Sequence, residues 1–395
     1  MKIFKRFPKS SGKSLPSDTQ KKLKDFAEQY SSSMVEGEMD VQIEIKGKEM
    51  FVTDGEQTFY FLSSENIGQD SRVGEAALWI FLPIAMARGV NLKINAPCSE
   101  IALNSAHKLI EAWSCWLPSL FSLVHLRASS RRVIDDQAQG DKELFCFSGG
   151  VDSTYTLLTR KFSDSGFDLL TVQGMEYNVS DDTRFEKAKK KSQSILKNYD
   201  CGHFYVKTNS YDIYKKYNIQ PRYIYVFVLM ACASLFSKRY GSLILAADRI
   251  RYQQLEDVPY GSSYATDHYF DSGDFKLVSH ADDVTRAQKL PAIAASADAL
   301  ESVSFCKDRK FRPENCGVCE KCMRTKYMFL ASIGYVPVDC FRNGSMKVDE
   351  KVLLSKNAER EDAFVKATYA AGFWSGHLSK LPMIVDAYNK IKNRR

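Results

Sequence analysis

Ten consecutive residues, Leu144-Phe-Cys-Phe-Ser148-Gly149-Gly150-Val151-Asp152-Ser153, constrain the fold of this chain more than any other stretch. The apolar run reads as a buried strand; it breaks at Ser-Gly-Gly, and a helical pattern resumes from Thr154 to Phe162. Strand, tight turn and helix in that order make a phosphate loop. The two glycines let the backbone turn and admit an anion close to its amides, and the first free N–H groups of the helix point at that anion. Ser148 and Ser153 add hydroxyl donors, while Asp152 can hold or orient a magnesium ion that crosslinks the phosphates. The G-x-x-x-x-G-K-[ST] spacing of the common ATPase loop is absent. A Gly-Gly turn with capping serines and no ligand is the alternative reading.

Beyond this loop the periodicity predicts strand and helix in turn. Strands are expected at Phe167 to Gln173, His203 to Val206, Ser242 to Ala247 and Phe275 to Ser279; helices at Thr183 to Lys197, Tyr223 to Arg239 and Val284 to Ser296. Such alternation implies a parallel, doubly wound sheet whose ligands bind at the carboxyl ends of the strands. That rim holds the phosphate loop, Met175-Glu-Tyr177, Asp248-Arg249, and an aperiodic stretch from Tyr252 to Asp274 with the character of a lid.

Before the loop, Val41, Ile43 and Ile45 alternate with polar residues, and turns at Gly47 and Asp54-Gly55 lead to Thr58–Leu62, a meander of antiparallel strands. Buried-helix character from Gly74 to Gly89, a short strand at Leu92 and a helix from Glu100 to Trp116, capped by Ser99, follow. The 395 residues therefore divide into a polar tail (1–35), an α+β N-terminal domain (36–135), an α/β nucleotide domain (136–334) and a C-terminal extension (335–395), whose residues 346–395 read as three short helices.

The net charge of +7 is modest for this length and scattered, which argues against a nucleic-acid partner. No apolar run reaches the roughly twenty residues that span a bilayer, and the basic N-terminus lacks a signal-peptide core, so a cytoplasmic location is expected. Six of the ten cysteines are dispersed, mostly in apolar stretches. The other four, Cys306, Cys316, Cys319 and Cys322, are spaced C-x9-C-x2-C-x2-C, a pattern that suits a closed tetrahedral zinc site; an iron–sulfur cluster is the rival.

Together, the loop Ser-Gly-Gly-Val-Asp-Ser and the run Cys316-Gly-x-Cys-x-x-Cys-x-Arg324 resemble the 7-cyano-7-deazaguanine synthases of the queuosine pathway, members of the PP-loop ATP pyrophosphatases. The likeness covers residues 143 to 334. It includes Gln220-Pro-Arg222-Tyr, the strand from Ser242 to Asp248, and Val284-Thr-Arg-Ala-Gln, similar to the family's Leu-Ser-Lys-Ala-Glu. The family's Tyr-Pro-Asp-Cys loop is replaced by Tyr260-Gly-Ser-Ser-Tyr264-Ala-Thr-Asp267, and the N-terminal domain and C-terminal helices are additional.

The resemblance implies a PP-loop fold (adenine nucleotide alpha hydrolase-like) in which ATP with Mg2+ activates a carboxylate such as 7-carboxy-7-deazaguanine. Pyrophosphate leaves, ammonia is coupled, and zinc is structural. Synthase-like proteins with extra domains occur in bacterial anti-phage defence operons, where a partner protein is a further source of the amine. On this reading Ser148, Gly149, Gly150, Val151, Asp152 and Ser153 hold ATP. Arg222 or Arg249 pairs with the carboxylate or α phosphate, and Asp248 or Asp267 bonds a purine-like edge; surface salt bridges at strand ends are the plain alternative. A tRNA sulfurtransferase would need a nucleophilic thiol, with Cys201 and Cys232 the nearby candidates, and a nucleotide-binding sensor would keep only the loop. Oligomeric state stays open.

Overall fold

The computed structural model describes residues 16–30, 37–68, 72–134, 140–236, 239–256, 258–342 and 358–393. After helix α1 (Ser17–Tyr30), the expected meander forms from β1 (Glu38–Lys46), β2 (Glu49–Thr53) and β3 (Thr58–Ser63), each antiparallel to the next. Helix α2 (Val73–Arg88) is apolar all round and buried over most of its length, and Gly89 ends it in the left-handed conformation at φ +65°. Strand β4 (Asn91–Ser99) leads into α3 (Glu100–Trp116), where the Ser99 hydroxyl oxygen accepts the Ala102 amide at 3.0 Å. Strand β5 (Leu126–Arg132) was not anticipated; its sequence Leu-Arg-Ala-Ser-Ser-Arg-Arg lacks apolar alternation because it lies mostly exposed at the sheet's edge.

The second half follows the alternating pattern. In order come β6 (Lys142–Cys146), α4 (Val151–Thr159), β7 (Phe167–Gln173), α5 (Asp182–Leu196), β8 (His203–Thr208), α6 (Ser210–Lys216), α7 (Pro221–Ala233) and β9 (Tyr240–Ala246). Then come α8 (Arg251–Glu256), β10 (Lys276–His280), α9 (Arg286–Ala294), α10 (Ala297–Ser302) and α11 (Glu320–Ile333). Of the expected C-terminal helices, α12 (Ala358–Trp374), a 3-10 turn at Leu378–Lys380 and α13 (Pro382–Lys392) are present, while 346–357 fall outside the described residues. The stretch from Tyr252 to Asp274 is less open than its composition implies. It carries most of α8 and a 3-10 turn at Asp267–Tyr269.

One ten-stranded sheet runs in the order β10-β9-β6-β7-β8-β3-β2-β1-β4-β5. Strands β10, β9, β6, β7 and β8 are mutually parallel. Phe61, Leu62 and Ser63 of β3 pair antiparallel with Thr208, Lys207 and Val206 of β8, so the N-terminal strands extend the parallel sheet. A buried charge network also joins the halves. Arg72 donates to Asp274 at 3.1 Å, and Arg132 bonds both Asp274 at 2.8 Å and Glu75 at 2.8 Å.

Period-two alternation sorts the strand side chains. Leu144 and Cys146 face a core shared with α2, α3 and α7, whereas Phe145 and Phe147 face one shared with α9, α11 and α13. Helices thus cover both faces, and each buried Phe contributes about 1.5–3 kcal/mol. Strand β6 has β7 on one side and β9 on the other, so the chain reverses direction across it. Its carboxyl end is the switch point where ligands bind in such sheets. Among the described residues no helix is long and apolar enough to cross a membrane.

Candidate functional site

The turn from Ser148 to Ser153 lies at that switch point. Gly149 has φ +68°, a left-handed turn that favours glycine, and its carbonyl accepts the Ser304 amide at 2.8 Å. The hydroxyl of Ser153 turns inward, donating to the Gly150 carbonyl at 3.2 Å and lying 3.2 Å from the Ser148 hydroxyl. Ser153 is therefore a buried brace of the loop, while Ser148 is exposed. Helix α4 begins at Val151, three residues before the sequence pattern suggests, so the amides of Val151, Asp152 and Ser153 fall in its first turn and have no acceptor within the helix.

Asp152 does not stand free for a metal ion. Arg286 reaches its Oδ2 from Nη2 at 2.5 Å and from Nε at 3.1 Å, and Lys289 reaches its Oδ1 at 3.0 Å. Burial raises the carboxyl's pKa, but the two cations outweigh it and hold the group below its ordinary value. Both cations come from the first turn of α9, which a capping box between Thr285 and Gln288 starts. Sequence reasoning marked Val284–Gln288 only as a helix start. The spacing Arg-x-x-Lys on one helical face was the available signal, but the carboxylate it meets lies 134 residues away.

The remaining rim residues separate by environment. Asp248 accepts the Tyr260 hydroxyl at 2.6 Å, and the Arg249 guanidinium lies 4.2 Å from the Tyr260 ring centroid. Arg222 donates to the Tyr223 hydroxyl at 2.6 Å, and its buried Nε has no partner among the described residues. Asp267 is committed internally: its carboxylate accepts Ser262 Oγ at 2.8 Å, Ser263 N at 2.8 Å and Ser279 Oγ at 2.6 Å. Burial raises its pKa despite these donors. It braces the segment after α8 and presents no free edge to a purine. Cys201 and Cys232 are poor nucleophiles, because burial pushes the first thiol up to about 11 and the second higher still.

A second charged group adjoins the loop. Glu176, just past β7, receives Arg312 Nη1 at 2.5 Å, and the fields of Lys321 and Arg286 also act on it. Its side chain is 55% exposed and that of Arg286 40%.

The four cysteines converge as their spacing requires. All four sulfurs lie within 4.8 Å of one another, with Cys306–Cys319 at 3.7 Å and Cys316–Cys322 at 3.8 Å. A tetrahedron with metal–sulfur bonds of about 2.3 Å has edges of about 3.8 Å, so this group can hold one metal ion and is compatible with zinc. The amides of Val318 and Cys319 point at Cys316 Sγ, at 3.4 and 3.3 Å. Asn315 ties the cluster to the Ser148–Ser153 turn. Its Oδ1 accepts the Phe305 and Cys306 amides at 2.9 and 3.2 Å, next to Ser304, whose own amide holds Gly149. No family model, curated protein or solved structure matches the chain.

Proposed function

We propose that this protein is an ATP-dependent carbon–nitrogen ligase that cleaves ATP between its α and β phosphates. The observation that carries the proposal is the loop from Ser148 to Ser153, turned at Gly149 and open at Ser148, beside a helix start with unsatisfied amides. A carboxylate oxygen attacks the α phosphorus, the bond to the β-phosphate oxygen breaks, and diphosphate leaves. An amine nitrogen then attacks the acyl carbon, AMP departs with the bonding pair, and the nitrogen's proton passes to the AMP phosphate or water.

Mg2+ enters as the counter-ion of the nucleotide, since Asp152 already carries two cations. The loop amides and Arg286 stabilise the leaving diphosphate, and Arg222 or Arg249 steers the carboxylate. Zinc in the four-cysteine group is structural in this reading. The resemblance to 7-cyano-7-deazaguanine synthases makes 7-carboxy-7-deazaguanine or a similar acid the substrate class. Ammonia or a partner protein supplies the amine, the latter in keeping with anti-phage defence. The raised thiol pKa values of Cys201 and Cys232 weigh against sulfur transfer.

Incubation with ATP, 7-carboxy-7-deazaguanine and either ammonia or a candidate partner, followed by mass spectrometry, tests the reading. An amide or nitrile of the acid is expected. ATP bound without any product would replace the ligase by a nucleotide sensor, and a thiolated RNA would replace it by a sulfurtransferase.

A further inference from the structure

Asn315 is 1% exposed and commits its side-chain amide to backbone atoms on every side. Its Oδ1 accepts the Phe305 and Cys306 amides at 2.9 and 3.2 Å, and its Nδ2 donates to the Val303 and Cys340 carbonyls at 2.9 and 3.0 Å. Reversing the amide would set N–H against N–H, so these partners fix its orientation. Asn315 therefore grips the chain on both sides of Ser304, whose N–H donates to the Gly149 carbonyl at 2.8 Å.

The Val303 carbonyl and the Ser304 N–H belong to one peptide group. A continuous relay results: Asn315 Nδ2 donates to that carbonyl, and the far side of the same peptide donates to Gly149. Hydrogen bonds in such a chain polarise and strengthen one another. The Gly149–Gly150 peptide is trans, so holding its carbonyl on Ser304 turns its N–H the opposite way. The Gly150 nitrogen lies 3.3 Å from Oγ of Ser148, an exposed residue. A bond of that length is weak and leaves the donor open to a charged acceptor. Between two glycines a peptide plane turns over at little steric cost, so the bond from Ser304 selects the orientation.

We propose that Asn315 is a positioning residue for anion binding at the Ser148–Ser153 turn: through the Val303–Ser304 peptide it keeps the Gly150 N–H aimed at an oxygen of a bound phosphate. This rests on the nucleotide reading of that turn. Asn315 directly precedes Cys316 and holds the amide of Cys306, so a metal ion bound by these thiolates fixes where the relay starts. The bonds to Phe305 and Cys306 brace the cysteine loop, whereas the relay starts from the donor half of the side chain.

Calorimetric titration of the metal-loaded full chain with ATP tests the relay. Asn315→Asp keeps the acceptor and loses the donor. Ser304→Pro leaves Asn315 intact and deletes the N–H that reaches Gly149, at a position preceded by Val303, which already has the extended backbone that proline demands of its neighbour. Each should weaken ATP binding at least about tenfold with full metal content, and the double variant should be no weaker than either single one, as links in series require. In protein isotope-labelled at glycine, saturating ATP should move the Gly150 amide resonance of the wild type and leave it in place in Asn315→Asp. Unchanged ATP affinity in either variant, or losses that add in the double variant, would overturn the relay and leave the nucleotide reading standing. Loss of the metal in Asn315→Asp would do the same, by making Asn315 a brace of the cysteine loop alone. A wild-type chain that binds no ATP would overturn both.

Discussion

Arg286 at the start of α9 clasps Asp152 in the first turn of α4, with Nη2 to Oδ2 at 2.5 Å and Nε to Oδ2 at 3.1 Å. The clasp joins the helix after the central strand to the helix after the edge strand β10, and it places a guanidinium at the first turn of α4.

Arg286→Ala should lower ATP turnover at least about 100-fold, the scale of losing one preorganised donor to a developing anion. Stability should change little, because the guanidinium is 40% exposed and Lys289 still pairs with Asp152. Steady-state kinetics and thermal melting on the same preparation check both halves. A large drop in Tm with normal turnover per folded molecule would make the contact purely structural.

Asp274 is the shared anion of the network that ties Arg72 and Arg132 across the two halves of the sheet. Asp274→Ala leaves Arg72, 1% exposed at its side chain, with no carboxylate partner in the network, and should cost about 3–5 kcal/mol in urea unfolding. A loss below about 1 kcal/mol would show that apolar packing and the β3–β8 pairing hold the halves without the charge network.

Metal analysis should find one zinc per chain, with no visible absorption of an iron–sulfur cluster. Cys322→Ser should lose the metal and make residues 307–319 more readily cleaved in limited proteolysis, since the cluster and Asn315 anchor both ends of that segment and polar side-chain contacts, such as Arg312 to Glu176, hold it between. Stoichiometric iron, or unchanged protease resistance in the variant, would contradict the assignment.

His203 is half-buried between Thr171 and Tyr205, with ring nitrogens 2.9 and 2.8 Å from their hydroxyls. Burial and then Lys189 lower its pKa to about 4. The unfolded imidazole titrates near 6.5, so between these values the unfolded chain binds a proton that the folded one does not. Stability should therefore fall as pH drops from 6.5 toward 4, by up to about 3 kcal/mol. His203→Gln should flatten most of that slope in denaturation series, leaving the part due to His107 and His280, which burial shifts in the same direction. An unchanged slope would refute the assignment.

Local features were legible in the sequence because local chemistry determines them. The Ser99 cap, the glycine turn at Ser148–Gly150 and the cysteine spacing each involve residues close along the chain. What stayed hidden is non-local. The pairing of Phe61 with Thr208, which makes one sheet of two expected domains, depends on a register that no short window encodes. Lys289 reads as an ordinary helix lysine until its buried ammonium is found on Asp152. Asp267 looked available for a substrate because Ser262 and Ser279, which occupy its oxygens, are ordinary polar residues in sequence.

The most direct test of the central claim is the identity of the nucleotide products. With ATP, the acid and the amine present, chromatography should find AMP and pyrophosphate in equal amounts, both dependent on the acid. ADP with inorganic phosphate would place the cut at the wrong bond and contradict adenylation at this loop.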